Sequence, residues 1–237
     1  MKKVLVTGST QGIGKEIALN FVKRGYEVIV HCSKDIEKAN RIKEEIGAHQ
    51  AVVCDLNNML EVNSLIEKTG AVDCLILNAS VQFKETWDKI SDDTFDKQFN
   101  INVKSTLKLI QAYAPKMKEK GFGRIITLGS VNQHRQHLEL SIYSATKCAV
   151  YKFVEVIAKD LAPYGVTVNN ISPGAIVTPR NEGVYNDENI RKSVENCIPM
   201  GRFGNPSDCV GAVMMLCGED GAYITGAEII IDGGMRL

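Results

Sequence analysis

The chain has 237 residues, 44% of them apolar and 24% charged, with 20 glycines. That composition belongs to a folded domain with one substantial core, neither disordered nor fibrous. Its 28 Lys and Arg balance 28 Asp and Glu, which removes the electrostatic reason to expect nucleic acid or an anionic membrane as the main partner.

The start Met1-Lys2-Lys3-Val4-Leu5-Val6-Thr7-Gly8 is basic, but its apolar run ends after three residues. This is far short of a signal-peptide core or a membrane span and reads as a cytoplasmic start. Short β-branched runs then alternate with longer amphipathic stretches. Strands are expected at Lys3–Thr7, Glu27–Cys32, Ala51–Asp55, Cys74–Asn78, Arg124–Gly129, Val166–Ile171 and Glu228–Ile231. Each is nearly continuous in apolar residues, as a strand buried on both faces should be. Helical periodicity marks Gly14–Arg24, Ile36–Ile46, Met59–Lys68, Asp93–Lys120 and Tyr143–Tyr164. In the last of these, Ala145, Cys148, Ala149, Phe153, Val156, Ile157 and Leu161 form one stripe. Right-handed crossovers make this a single-domain, Rossmann-like α/β fold: a doubly wound parallel sheet with helices on both faces, spanning 1–237. The Pro-, Gly- and Asn-rich span 173–199 follows a strand end where such sheets bind ligands, and is expected to supply a substrate lid at about 175–200. The seven cysteines are scattered without a C-x-x-C pair, so reduced and mostly buried thiols are expected, and neither a Cys set nor clustered His proposes a metal.

Thr7-Gly8-Ser9-Thr10-Gln11-Gly12-Ile13-Gly14 follows the first strand and opens the first helix. There Gly8 can make the tight turn, Gly12 can admit a pyrophosphate close to the backbone, and Gly14 can allow close helix packing. Helix amides would face the anion. The second strand ends His31-Cys32-Ser33-Lys34. A carboxylate there would hold the ribose hydroxyls and repel a 2′-phosphate. Ser33 and Lys34 offer a hydroxyl and a cation instead, which favours NADP(H) over NAD(H). Asp35 lies close by and Gln11 is uncharged, which weigh the other way.

Tyr143-Ser144-Ala145-Thr146-Lys147 places a phenol and an ammonium four residues apart on one helix face. A phenol, with an ordinary pKa of about 10, is a poor base at neutral pH, and a nearby cation favours its phenolate. Taken alone this spacing is also that of a surface pair. Ser130, thirteen positions earlier at the end of the fifth strand, can donate to a substrate carbonyl oxygen as charge develops there.

Together these strings resemble the short-chain dehydrogenase/reductase family along nearly the whole chain. The resemblance implies hydride transfer between a nicotinamide and a ketone or secondary alcohol, with Ser130, Tyr143 and Lys147 catalytic. It also implies that Asn102, preferred over Asn100, positions a water in a proton relay. It assigns Asp55-Leu56 to the adenine, Asn78-Ala79-Ser80 to the turn beside the cofactor, and Pro173, Gly174, Ile176 and Thr178 to the nicotinamide. Tyr143 and Lys147 also touch the cofactor in this reading. Leu77 and Ser80 depart from the family's Asn-Asn-Ala-Gly turn. The strings at 123–131 and 222–226 are similar to 3-oxoacyl-carrier-protein reductases, where Arg124 would receive an acidic carrier. The polar loop Asn132–His137 suits a hydroxylated small molecule instead. His134 and His137 are expected among the substrate-loop residues, and the loops 81–90, 131–142 and 180–199 are expected to line the pocket. A cofactor-binding regulator without turnover is the alternative class, and assembly as a homotetramer or homodimer through the helices 102–120 and 143–164 is implied by relatives.

Overall fold

The computed structural model describes residues 1–237. Seven strands, β1 (Lys3–Val6), β2 (Glu27–Cys32), β3 (Gln50–Val53), β4 (Cys74–Leu77), β5 (Gly123–Leu128), β6 (Val166–Pro173) and β7 (Glu228–Ile231), form one sheet in the order β3-β2-β1-β4-β5-β6-β7. All six pairings are parallel. The fold is therefore a single-domain, Rossmann-like doubly wound sheet, as the alternation of elements predicts.

Helices cover both faces because alternate strand residues point to opposite sides. Val4, Val6, Val28, Val30, Ile76 and Ile126 pack in one layer with α1 (Gly12–Lys23), α2 (Ile36–Ile46) and α9 (Val210–Cys217). Leu5, Ile29, Leu75, Ile125 and Val168 pack in the other with α3 (Met59–Thr69), α5 (Ser105–Lys120) and α6 (Ser141–Leu161). Strand order reverses between β1 and β4, so the crossovers leave in opposite directions and open a crevice at the carboxyl ends of these strands.

Three elements differ from the sequence expectation. The single helix expected over Asp93–Lys120 is α4 (Asp92–Phe99), a π-helical turn (Asn100–Lys104) and α5. The wide turn shifts the phase of the helix where Asn102 sits. Helix α9 was not expected, because Val-Gly-Ala-Val-Met-Met-Leu-Cys is apolar all round and carries no helical stripe. The 173–199 span is not bare loop, since it holds two short helices, α7 (Glu182–Tyr185) and α8 (Glu188–Glu195). Among the cysteines, Cys54, Cys74, Cys209 and Cys217 are buried, Cys32 is half-buried, and Cys148 and Cys197 are exposed.

Candidate active site

A cleft of about 550 Å³ runs across the carboxyl ends of the strands, from the β1–α1 turn to the lid segment. At one end the glycine turn is shaped by backbone needs. Gly8 and Gly12 have φ of 63° and 54°, a region costly for any side chain. A Cβ at Gly14 would lie 2.5 Å from both the Gly8 carbonyl and Asn78 Nδ2, so only glycine lets α1 start this close to β4. Gln11, the residue before α1, places no side-chain cap on the helix, and no acidic residue stands in its first turn. The first-turn amides are thus open to an anion, as a pyrophosphate-bearing cofactor requires. Gly8, Thr10, Gln11, Gly12, Ile13 and Gly14 line the cleft.

Ser9 does not line it: its buried hydroxyl accepts from the His31 amide at 2.9 Å. The sequence reading gave His31 no role, yet it fastens the turn. Its Nδ1 accepts from the Gly8 amide at 3.0 Å while Nε2 lies 2.9 Å from the Cys54 carbonyl. Burial pushes its pKa down to about 4, so the ring is neutral near pH 7, and Nε2–H donating to Cys54 fixes Nδ1 as the acceptor.

Beyond β2, Ser33 and, in the first turn of α2, Lys38 line the cleft; Lys34 is not among the lining residues, and its ammonium pairs with Asp55 at 3.3 Å. Lys38 reaches the glycine turn, donating to Gln11 Oε1 at 2.9 Å. Lys38 lies six residues beyond the end of β2, past Ser33–Asp35 where the sequence reading looked for the phosphate-binding group. Asp55 and Leu56 also line the cleft.

Asn78, Ala79 and Ser80 follow β4 along the cleft wall. Asn78 Nδ2 donates to the Thr7 and Gly8 carbonyls, and the Asn78 and Ala79 amides donate to Thr7 Oγ1. The turn at Ser80 needs no left-handed backbone, since only glycines have positive φ. Ser80 holds Arg180 of the lid segment, whose Nη2 donates to its carbonyl at 2.6 Å and its hydroxyl at 3.0 Å.

At the other end of the cleft, Ser130, Tyr143 and Lys147 line the same wall, all nearly buried. The Lys147 ammonium donates to the Leu128 carbonyl at 2.6 Å, tying α6 to the end of β5 two residues before Ser130. It lies 5.5 Å from the centre of the Tyr143 ring. Burial, assisted by the Arg180 charge, pushes its pKa down to about 7. The Tyr143 hydroxyl faces Arg180 Nη1 at 3.5 Å. Ser130 Oγ accepts from the Asn132 amide at 3.2 Å, which leaves its proton for an oxygen in the cleft.

Asn102 is not on the cleft wall. Its amide bonds both backbone groups of Val81 and donates to Thr146 Oγ1 at 3.1 Å, beside Lys147. A network that the sequence did not disclose braces Ser130 from behind. Gln133 Oε1 accepts from the Ser130 amide at 2.9 Å, Gln133 Nε2 donates to Glu228 of β7 at 3.1 Å, and His134 pairs with the same carboxylate at 2.9 Å. His134 therefore serves this brace, while His137 lines the cleft. Arg124 is 4% exposed at the opposite end of β5 and donates to the Gly123 and Gly165 carbonyls, so it cannot serve as a docking cation at the mouth.

Pro173, Gly174, Ile176 and Thr178 continue the wall beyond β6. All three expected loops contribute: Val81, Gln82 and Lys84; Asn132 and Arg135; Arg180, Val184 and Val194.

A glycine turn with an uncapped helix start at one end of a cleft, and Ser130, Tyr143 and Lys147 together at the other, form the arrangement that the sequence resemblance implies. A family model described as enoyl-(acyl carrier protein) reductase matches residues 8–236, and the chain belongs to the short-chain dehydrogenase/reductase family. It is an oxidoreductase acting on CH–OH or keto groups. Over 246 residues it is 32% identical to the NADP(+)-dependent L-rhamnose 1-dehydrogenase of Thermoplasma acidophilum, covering 100% of this chain and 96% of that one. It is 31% identical to a 3-oxoacyl-[acyl-carrier-protein] reductase of Staphylococcus aureus, covering 100% and 98%. The crystal structure of a 3-oxoacyl (acyl-carrier-protein) reductase from Agrobacterium tumefaciens with NADP bound superposes with a TM-score of 0.94 at 31% identity, covering 98% and 93% of the two chains. No helix is long and apolar enough to cross a membrane.

Proposed function

We propose that the chain is an NADP(H)-dependent oxidoreductase that interconverts a small ketone and its secondary alcohol through Ser130, Tyr143 and Lys147. The observation that carries this is their meeting on one wall of the cleft whose far end is the uncapped start of α1. When bound, the nicotinamide cofactor supplies or accepts the hydride. Tyr143 exchanges the proton on the substrate oxygen, and Ser130 donates a hydrogen bond to that oxygen, more strongly as charge builds there. Lys147 holds the cofactor ribose and favours the phenolate. Asn102 is a positioning residue here, since its side chain bonds Val81 of the cleft wall and Thr146, the residue before Lys147.

Ser33 and Lys38 would receive a 2′-phosphate, with Lys38 taking the part first given to Lys34. NADPH is therefore expected to bind more tightly than NADH in a fluorescence titration, and Lys38→Met should cut that preference about tenfold, the loss of one charge-assisted hydrogen bond. Tighter NADH binding by the wild type would reverse the assignment. NADPH oxidation with a panel of ketones tests the function itself.

The 3-oxoacyl-carrier reading is weakened by the burial of Arg124, and a small substrate suits the polar loop 132–137 better. The segment 175–200, whose helices α7 and α8 contain no buried residue, serves as the lid in this reading. For assembly, the apolar stripe of α6 faces outward over 145–157, with Ala145, Cys148 and Val156 exposed and Ala149, Phe153 and Ile157 half-buried, a surface suited to a second copy of the chain. A dimer or tetramer is expected in sedimentation equilibrium, and a monomer at micromolar concentration would refute it.

A further inference from the structure

The cations in the catalytic half of the cleft have no counter-ions. Lys84, Arg135 and Arg180 line it together with Lys147, yet Asp55 is the one carboxylate on the whole wall, and it sits at the adenine end paired with Lys34. None of the four cations takes part in an ion pair. The chain as a whole carries no net charge, so this crowding is not a by-product of basic composition. The cofactor ribose accounts for Lys147, but the cofactor does not account for Lys84, Arg135 and Arg180, since the α1 amides, Ser33 and Lys38 provide for its phosphates at the other end.

Arg180 is the best placed of them. Ser80 anchors one edge of its fork, and Nη1 stands 3.5 Å from the Tyr143 hydroxyl. Any substrate oxygen that bonds Tyr143 therefore lies beside a guanidinium, whose Nη1 donors can take a carboxylate oxygen in a charge-assisted hydrogen bond. Two cations flank one phenol there with no anion between them, and the Arg180 charge already disfavours protonated Lys147. An anionic substrate group relieves this repulsion.

We infer that the substrate is a short oxo or hydroxy acid whose carboxylate lies close to the reacting carbon and is received by Arg180, with Arg135 and Lys84 drawing it into the cleft. The inference rests on the reading of Tyr143 as the proton-exchanging group. It is tested by initial-rate kinetics at saturating NADPH with 2-oxo and 3-oxo acids, each beside its methyl ester, on the wild type, Arg180→Gln and Arg180→Lys. The acids should exceed their esters in kcat/KM by about 10- to 100-fold, the range of a charged hydrogen-bonded pair, mostly through KM. In Arg180→Gln the ratio should fall to about one, in Arg180→Lys it should be partly restored, and NADPH affinity in both should stay within about threefold of wild type. Equal rates for acids and esters in the wild type overturn the inference while the oxidoreductase reading stands. So does an Arg180→Gln variant that loses NADPH binding as strongly as acid turnover, because the guanidinium then belongs to the cofactor. No turnover with any acid, ester or plain ketone overturns both.

Discussion

Tyr143→Phe should lower kcat by about 10²- to 10⁴-fold, the usual worth of a positioned proton donor or acceptor, while NADPH binds with nearly wild-type affinity. The separation of the two effects follows from the side chain's surroundings. The residue is 4% exposed, so a Phe ring keeps its place and its contacts. The hydroxyl's hydrogen-bond neighbour is Arg180 Nη1 at 3.5 Å, a long contact to a guanidinium that Ser80 already holds, so little stability goes with it. Cofactor fluorescence reports binding and NADPH oxidation reports turnover in the same cuvette. Wild-type turnover in this variant would remove Tyr143 from the chemistry, and absence of turnover in the wild type across a broad carbonyl panel would favour a binding protein.

Lys147→Met should also abolish turnover, but with an opposite effect on the fold: the cofactor-free variant should be more stable than the wild type, most clearly at pH 6. Lys147 titrates at about 7 in the folded protein against an ordinary 10.5. Between those values the unfolded chain holds a proton that the folded chain lacks, so wild-type stability rises with pH across that window. Below about 7 the lysine is protonated in both states and the penalty of the buried charge is fully present. At about 1.4 kcal/mol per pKa unit the penalty is a few kcal/mol, and loss of the bond to the Leu128 carbonyl offsets part of it. A net gain of about 1–3 kcal/mol, or several degrees in Tm, should shrink at pH 9.5. A variant less stable than the wild type at both pH values would show that the hydrogen bond outweighs the buried charge.

The strands, the glycine turn and the Ser130–Tyr143–Lys147 group were legible because each is written locally: continuous apolar runs, a fixed glycine spacing, a four-residue step on one helix face. The π-turn at Asn100–Lys104 was not, since one wide turn leaves residue types unchanged and alters only their phase. Arg124 misled because the motif was weighed by residue type and not by place: Arg124 lies at the start of β5, at the end of the strand away from the cleft. Gln133 follows Ser130 by three residues in a Ser-x-x-Gln capping box, a local signal, whereas His31, Lys38, Glu228 and Arg180 share one reason for going unread. Each acts on a residue distant in sequence, through side-chain directions set by the assembled sheet, and periodicity does not report those directions.

The balance of 28 basic and 28 acidic residues first argued against polyanionic partners, and the cleft shows how overall neutrality coexists with a local excess of cations. Lysines and arginines gathered at one concave mouth, in a chain whose charges sum to zero, give a field that is strong in the funnel and weak at range. At physiological ionic strength such a field reaches about 8 Å. It guides a small ion on its last approach yet offers a long polymer nothing to lie along.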